Sequence, residues 1–433
     1  MKIQPPPGMR DFYPPDMRRQ NHLFNAWRRV SHAAGFEEYE GPIFEFLDLY
    51  TLKSGAGIVS ELFNFTDRGD RHFAIRPEMT PTLARMVAAR ANALPRPIKW
   101  FSLPRMCRAE KPQRGRLREF FQWNVDILGI DDVLADAEVI AVAIAGAREL
   151  GLTPAHVVMR ISSRPIATAA LASIGIAPEQ APRAFELVDR YDKLGSDEFQ
   201  RQWHALAPQV NCDQLLAQLE QSDVEQCLSL AQASGPAGAA AADQFRQLWQ
   251  WLQAFGVQEY CQFDLKVVRG LAYYTGPVFE LNARQGGVRA LLGGGRYDNL
   301  TALLDGPSVP GVGFGMGDAP VLELLSDLGD HQVAEDTLDA FIIDAGPEHF
   351  TQAVQIAAQL RDMGVACDFS YKRQAIGKQL RQAEKRAAKL AVIVGAEFTA
   401  SRVLTVKDLR TGQQQPVQIA EISTRIPELL RRQ

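Results

Sequence analysis

Between Phe121 and Asp126 the chain alternates Phe121, Trp123 and Val125 with Gln122, Asn124 and Asp126. In an extended strand successive side chains leave opposite faces, so one face here is bulky and apolar while the other is wholly polar. The apolar side has to sit on a core. The polar side, in the middle of a sheet, calls for a ligand or water to satisfy it. The spacing predicts a strand from Arg118 to Leu128.

A second dense stretch, RGLAYYTGPVFE from Arg269 to Glu280, places an arginine, adjacent tyrosines and a glutamate in a strand-turn-strand pattern punctuated by Gly270 and Gly276-Pro277. Tyr273 and Tyr274 alternate faces if extended, so polar groups line a pocket from one strand. An ordinary strand with an exposed arginine fits the stretch equally well.

At 433 residues the chain exceeds one core, and the domain-size prior suggests roughly two to four domains. Leu23, Trp27 and Val30 share one face of a helix from Asp16 to Ala34, which Gly35 ends before a strand from Phe36 to Tyr39. Short strands follow at Phe63 to Thr66 and His72 to Arg76, then a helix from Thr80 to Arg90 and a strand from Lys99 to Leu103. This pattern reads as a largely antiparallel sheet. From Ile174 to Ala254 the chain turns rich in Ala, Gln, Leu and acids, with helical periodicity broken at Gly195 and Gly235-Pro236: a helical insertion. Strands resume at Asp264 to Arg269 and Val278 to Leu281, so segments on both sides of the insertion complete the sheet. Gly293 to Gly295 and Gly311 to Gly317 mark close backbone approaches within it.

Past Glu335 strands at Asp339 to Asp344, Ala366 to Ser370 and Leu390 to Val394 alternate with helices at Glu348 to Met363 and Ala375 to Ala388. A hairpin at Arg410-Thr411-Gly412 and a helix near Ile419 to Leu430 close a separate α/β domain with a mostly parallel sheet. The expected division is 1–173 and 256–326 for the sheet domain, 174–255 for the insertion and 336–433 for the last domain, with an acidic linker near Asp327 to Asp339. The fold class is α+β.

Cys107, Cys212, Cys227, Cys261 and Cys367 are dispersed and odd in number, which argues against a disulfide framework and a zinc cluster. The start, MKIQPPPGMRDFYPP, lacks a secretory apolar core, and apolar runs such as Val139 to Ala147 are far short of the ~20 residues that span a bilayer. A cytoplasmic protein with no membrane partner is expected. The net charge of −4 gives no global sign of a polyanionic partner, so the charge distribution matters more.

Six basic side chains lie from Arg105 to Arg118 around Glu110, Pro112 and Gly115. Arginine forks match phosphate oxygens, and such a hairpin holds Arg108 rigidly while leaving its loop arginines mobile. A solvated charged hairpin is the competing reading. Glu78, in AIRPEMTPTLAR, precedes Thr80, an expected N-cap, and Pro81, suited to the first helical position. Glu78 lies outside that helix and can join Gln122 and Asp126 in binding an amine or an imidazole N–H. Lys378, Arg381 and Lys385 make one basic helix face, suited to RNA phosphates or simply solvated.

The ordered set GMRDFYP, RPEMTPTLAR, RAEKPQRGRLREFFQWNVDILG, RGLAYYTGPVFE, GGGRYDNL and KQLRQAEKRAAKLAVIVG resembles a histidyl-tRNA synthetase of the antiparallel-sheet synthetase class. RGLAYYTG and GGGRYDNL are its most specific parts. The resemblance implies activation of L-histidine with ATP to histidyl-adenylate, then transfer to the 3′ end of tRNA(His), by a homodimer using Mg2+. It implies Arg108 on the α-phosphate, Glu110 beside the adenine, Arg116 on the distal phosphates and Arg269 as the catalytic arginine. Glu78, Thr80 and Gln122 fall to the histidine amine, Asp126, Tyr273 and Tyr274 to the imidazole, and Arg296 and Tyr297 to further pocket walls, with Arg269 also contacting histidine. Lys111, Gln113, Lys378, Arg381 and Lys385 fall to tRNA. No protein-held metal site is implied.

The chain departs from the family at Ala272, where an acid is common, and near Pro320, where an arginine on the distal phosphates is expected and none stands. The alternative within the same ancestry is the histidine-sensing regulatory subunit of ATP phosphoribosyltransferase. That relative lacks the last domain.

Overall fold

The computed structural model describes residues 3–431 apart from 55, 190, 221–222, 268–273, 286, 288–289, 305 and 330–336. Its contacts divide into compact units Met1–Gln332 and Val333–Gln433.

The first unit is built on a nine-stranded sheet. Its order is Glu37–Glu38, Ile98–Ser102, Glu119–Leu128, Gly311–Gly317, Leu292–Arg296, Pro277–Ala283, Val157–Ser163 and Cys261–Phe263, with Arg105–Cys107 pairing alongside Glu119–Leu128. Pairings at the margins are parallel and those between them antiparallel. The strand read from Phe121 to Asp126 thus lies in mid-sheet, and its alternation sets the phase of its neighbours. Phe101, Trp123, Val125, Ile127, Val312, Phe314, Phe279 and Ile161 fall on one face and join a single buried cluster with the helices Pro14–Ala33 and Leu134–Glu149. Trp123 stacks on Trp27 at 5.6 Å, donates from Nε1 to Ser31 Oγ at 3.0 Å, and lies where a Cβ on Gly146 would stand. Truncating so buried a ring costs roughly 3–5 kcal/mol.

The helices between Ala181 and Ala254 add Phe185, Phe199, Trp203, Leu228, Phe245 and Leu248 to the same cluster. That helical layer therefore shares the sheet's core. A strand was expected from Asp264 to Arg269; the edge strand instead ends at Phe263. The Asp264 carboxylate accepts from Lys266 N at 2.9 Å, and its carbonyl from Val267 N at 3.1 Å, so a side-chain-locked turn replaces extended backbone. Arg269 lies outside the described residues. The strand expected from Phe36 to Tyr39 is reduced to Glu37–Glu38.

Beside the main sheet, Phe44–Phe46, His72–Ile75 and Asn64–Thr66 form a three-stranded sheet in which Phe44, Phe46 and Phe65 pack around Phe73 yet remain exposed.

The second unit has a five-stranded sheet in the order Cys367–Phe369, Ala340–Asp344, Leu390–Val394, Val403–Asp408 and Gln414–Gln418. Pairings among the first three are parallel and the hairpin side is antiparallel, so the sheet is mixed rather than mostly parallel. Ile342 and Val392 pack under the helices Phe350–Asp362 and Ile422–Arg431. Phe341, Ile343 and Ala391 pack under Ile376–Lys385. Both faces of its central strands are covered, which explains their unbroken apolar runs.

Candidate active site

Residues paired across a sheet project to the same side, so the register alone builds the opposite, polar face. One row runs from Trp100 through Asp126, Gly313, Gly295 and Val278 to Ser162; the next runs from Ser102 through Asn124, Gly315, Gly293 and Glu280 to Arg160. Glycine occupies the middle of both rows. The result is a trough floored by backbone, into which neighbouring side chains lean. A Cβ at Gly315 would stand 2.6 Å from the Gln122 amide, one at Gly295 2.8 Å from the Tyr274 ring, and one at Gly311 2.6 Å from the Tyr297 ring. A Cβ at Gly313 would collide with the Asp126 carboxylate.

The floor thus brings together Gln122, Asp126, Tyr274 and Tyr297. Tyr297 donates its hydroxyl to Asp126 Oδ1 at 2.5 Å. Burial raises Asp126 to a pKa of about 7, against the lowering effect of that hydrogen bond. A carboxyl group poised there can either accept from or donate to an imidazole nitrogen.

At the other end of the strand Glu119–Leu128 stands the basic hairpin. Arg108 N donates to Arg118 O at 2.8 Å, and the tip closes through reciprocal Gln113–Arg116 bonds with Gly115 at φ +67. Arg108 donates from Nε to Pro77 O at 3.0 Å and lies over the Phe120 ring. Cys107 N donates to Arg76 O at 3.0 Å, and Arg76 Nε to Arg105 O at 2.9 Å. These bonds clamp the loop carrying Glu78 against the hairpin, so Glu78 and Arg108 stand close. Arg116 pairs with Glu110, while Lys111 and Gln113 are exposed at the tip.

Thr80 is the first helical residue rather than the N-cap: Met79 holds that position in αR conformation, with no side-chain cap bond. The helix still begins where expected because Pro81 favours the first turn. Tyr273, with Arg269, lies outside the described residues.

Arg296 belongs to the other face. Its row partner is Val312, on the apolar side. The buried guanidinium pairs with the fully buried Asp136, with Asp298 at 3.3 Å, and donates to the carbonyls of Ile130 and Asp132, each at 3.2 Å. Its donors hold the start of helix Leu134–Glu149, so the reading of Arg296 as a histidine-pocket wall is corrected.

Sequence reasoning missed Ser102, Arg160, Ser162 and Tyr39. The Tyr39 hydroxyl lies beside that of Ser102, both buried and neither in good hydrogen-bonding geometry; burial and the Asp126 charge raise the Tyr39 pKa. The signal for Arg160 and Ser162 was the alternation of Val157, Met159 and Ile161 with Val158, Arg160 and Ser162.

In the second unit Lys378, Arg381 and Lys385 are exposed on the helix Ile376–Lys385, opposite its buried Gln379 and Ala383.

The histidyl-tRNA synthetase family model matches residues 8–319, and an anticodon-binding-domain model matches residues 339–429. The chain is 40% identical over 411 residues to the histidine–tRNA ligase of Opitutus terrae, covering 94% of this chain and 93% of that protein. It is 35% identical over 420 residues to the chloroplastic/mitochondrial histidine–tRNA ligase of Arabidopsis thaliana, covering 97% and 86%. The crystal structure of apo S. aureus histidyl-tRNA synthetase superposes with a TM-score of 0.75 at 25% identity, covering 98% of this chain and all of that one. With the trough, the arginine hairpin and matches along nearly its whole length, the chain belongs to the histidyl-tRNA synthetase family.

Proposed function

We infer that the chain is a histidine–tRNA ligase, which activates L-histidine with ATP and transfers it to tRNA(His). The observation that carries this reading is the buried Asp126 held by Tyr297 on a glycine floor, with a clamped arginine hairpin at the far end of the same strand. The imidazole falls to Asp126 and Tyr274, with Tyr297 fixing the acid, and the resemblance assigns Tyr273 to the same ring; Glu78, Thr80 and Gln122 take the amine. An isostere without ring nitrogens offers Asp126 nothing beyond its bond from Tyr297 and is rejected on that ground.

In the first step a histidine carboxylate oxygen attacks the α-phosphorus, the bond to the bridging oxygen breaks, and pyrophosphate leaves. Two anions must approach, so fixed guanidinium groups stabilise the transition state. Arg108 suits the α-phosphate because its bond to Pro77 O and its contact with Phe120 limit its motion, and the resemblance assigns Arg269 as the catalytic arginine. Glu110 serves the adenine side. Its pairing with Arg116 has to open for Arg116 to reach the distal phosphates.

Among the described residues no group of three His, Cys, Asp or Glu side chains is placed to hold a metal ion. Magnesium, which keeps waters and takes few carboxylates beside substrate phosphates, fits this site as a companion of ATP. Lys111, Gln113 and the exposed Lys378, Arg381 and Lys385 suit tRNA phosphates. Residues 1–173 and 256–326 form the catalytic part around a helical 174–255, and 336–433 bind the anticodon.

The exposed Ile43, Phe44, Phe46, Leu52 and Phe65 favour a homodimer in which a second copy covers that aromatic sheet. Among the described residues no helix is long and apolar enough to cross a membrane, and a cytoplasmic location fits tRNA charging. The regulatory-subunit alternative is disfavoured by the anticodon-binding match over 339–429.

Histidine-dependent ATP–pyrophosphate exchange, followed by charging of tRNA(His), tests the reading. Folded protein without exchange would overturn it.

A further inference from the structure

The segment from Gly8 to Phe12, part of GMRDFYP, has no role in the reaction as described so far. It is stitched along the base of the arginine hairpin: Gly8 O accepts from Arg118 N at 2.9 Å and from Glu119 N at 3.2 Å. At φ +82, with a Cβ 2.7 Å from Pro112, position 8 leaves room only for glycine.

Beyond it, Arg10 donates from Nη2 to Asp318 Oδ2 at 2.7 Å and covers the Phe12 ring. Asp318 opens the helix Asp318–Asp327, and its Oδ1 accepts from Phe121 N at 2.9 Å. It directly follows Gly317, whose row partner is Gln122. Arg10 therefore stands at the end of the strand that carries Gln122, beside the hairpin, on the side where Phe12 meets Phe121 edge-on at 6.0 Å. Its carboxylate partner has no exposure, while the guanidinium itself keeps 25% of its side-chain surface open. A fully desolvated acid behind a partly open arginine fixes the orientation of the fork, whose buried Nε has no hydrogen-bond partner among the described residues.

The neighbouring cations are committed differently. Arg105 pairs with Glu119 and Arg118 donates to Glu110 O. Arg114 is bound to Glu323 and, at 2.8 Å, to Asp327 on that same helix. The helix carries no arginine at Pro320, so it offers acids to cations arriving from elsewhere in the chain.

We propose that Arg10, seated by Asp318, binds the distal phosphates of ATP in the position that an arginine of the helix Asp318–Asp327 would otherwise fill. The proposal rests on the ATP-dependent ligase reading. Arg10 touches the substrate and Asp318 is a positioning residue. The released pyrophosphate meets the same guanidinium, so Arg10 acts on both directions of the exchange.

The test compares ATP with AMP, which lacks the distal phosphates, by calorimetric binding to full-length protein, alongside exchange kinetics. Arg10→Met combined with Asp318→Asn removes both charges, so no buried carboxylate is left unpaired. Arg10→Lys keeps the pair but loses the fork. In both, ATP affinity falls about tenfold or more, the scale of one charge-assisted hydrogen bond. AMP and histidine affinities stay within about twofold of the parent, and the KM for pyrophosphate rises with that for ATP. An unchanged ATP-to-AMP ratio in Arg10→Lys, or in a folded double variant, overturns the proposal, as does an equal loss for both nucleotides. Absence of exchange in the parent protein would instead sink the ligase reading, and the binding ratio would still judge Arg10.

Discussion

Arg296 and Tyr297 are consecutive, yet Arg296 faces Asp136 beneath the sheet while Tyr297 faces Asp126 in the trough. Changes at these neighbours should therefore separate stability from substrate affinity. Arg296→Ala leaves Asp136 buried without its partner and should cost roughly 3–5 kcal/mol in denaturant unfolding. Tyr297→Phe should cost only roughly 1–3 kcal/mol, as a buried acceptor loses its donor, and lower kcat/KM for histidine by about tenfold or more. The reverse pattern would refute this assignment of faces.

Asp126 gives a pH signature. Its folded pKa of about 7 lies above the ordinary carboxylate value, so folding favours the protonated form. This contribution is fully present below pH ~4 and is lost as the pH rises through about 7. Asp126→Asn still accepts from Tyr297 but does not titrate. In ligand-free thermal melts its stability relative to the parent should climb between those limits and level off above them. A difference independent of pH would show that Asp126 is not buried in this way.

Gly315→Ala tests the floor. The added carbon meets the end of the Gln122 side chain, which can swing aside, so the fold should survive. The KM for histidine should rise by roughly tenfold, while ATP binding measured without histidine is unchanged. Equal damage to both substrates would place Gln122 away from the amine.

Charge reversal at Lys378, Arg381 and Lys385 should leave pyrophosphate exchange intact and reduce kcat/KM for tRNA charging, with a shallower salt dependence, since each phosphate contact contributes about one unit of slope. Residues 333–433, which carry their own apolar clusters, should fold when expressed alone. Loss of exchange in the triple variant would contradict the division of labour.

Period-two alternation at Phe121 to Asp126 was enough to place that strand in mid-sheet and to say which residues share its polar face, because one misplaced register would bury every polar group. The glycine runs were legible as close approaches. What they approach was not, since the trough exists only after strands from distant parts of the chain come into register. Arg296 misled because its motif neighbour Tyr297 does face the trough, and a motif does not record the side of the sheet on which each member falls. Helix Leu134–Glu149 escaped periodicity because it is buried nearly all round, leaving no polar stripe to read.

Arg10 and Asp318 are separated by 308 positions in sequence. A nascent chain cannot close that contact until almost all of the first unit has been synthesised, so the phosphate end of the cleft forms late, after a long loop has been drawn shut. A bulky fusion placed just ahead of Gly8 would compete with that closure, and preparations carrying one should regain nucleotide binding more slowly after refolding than they regain helical signal.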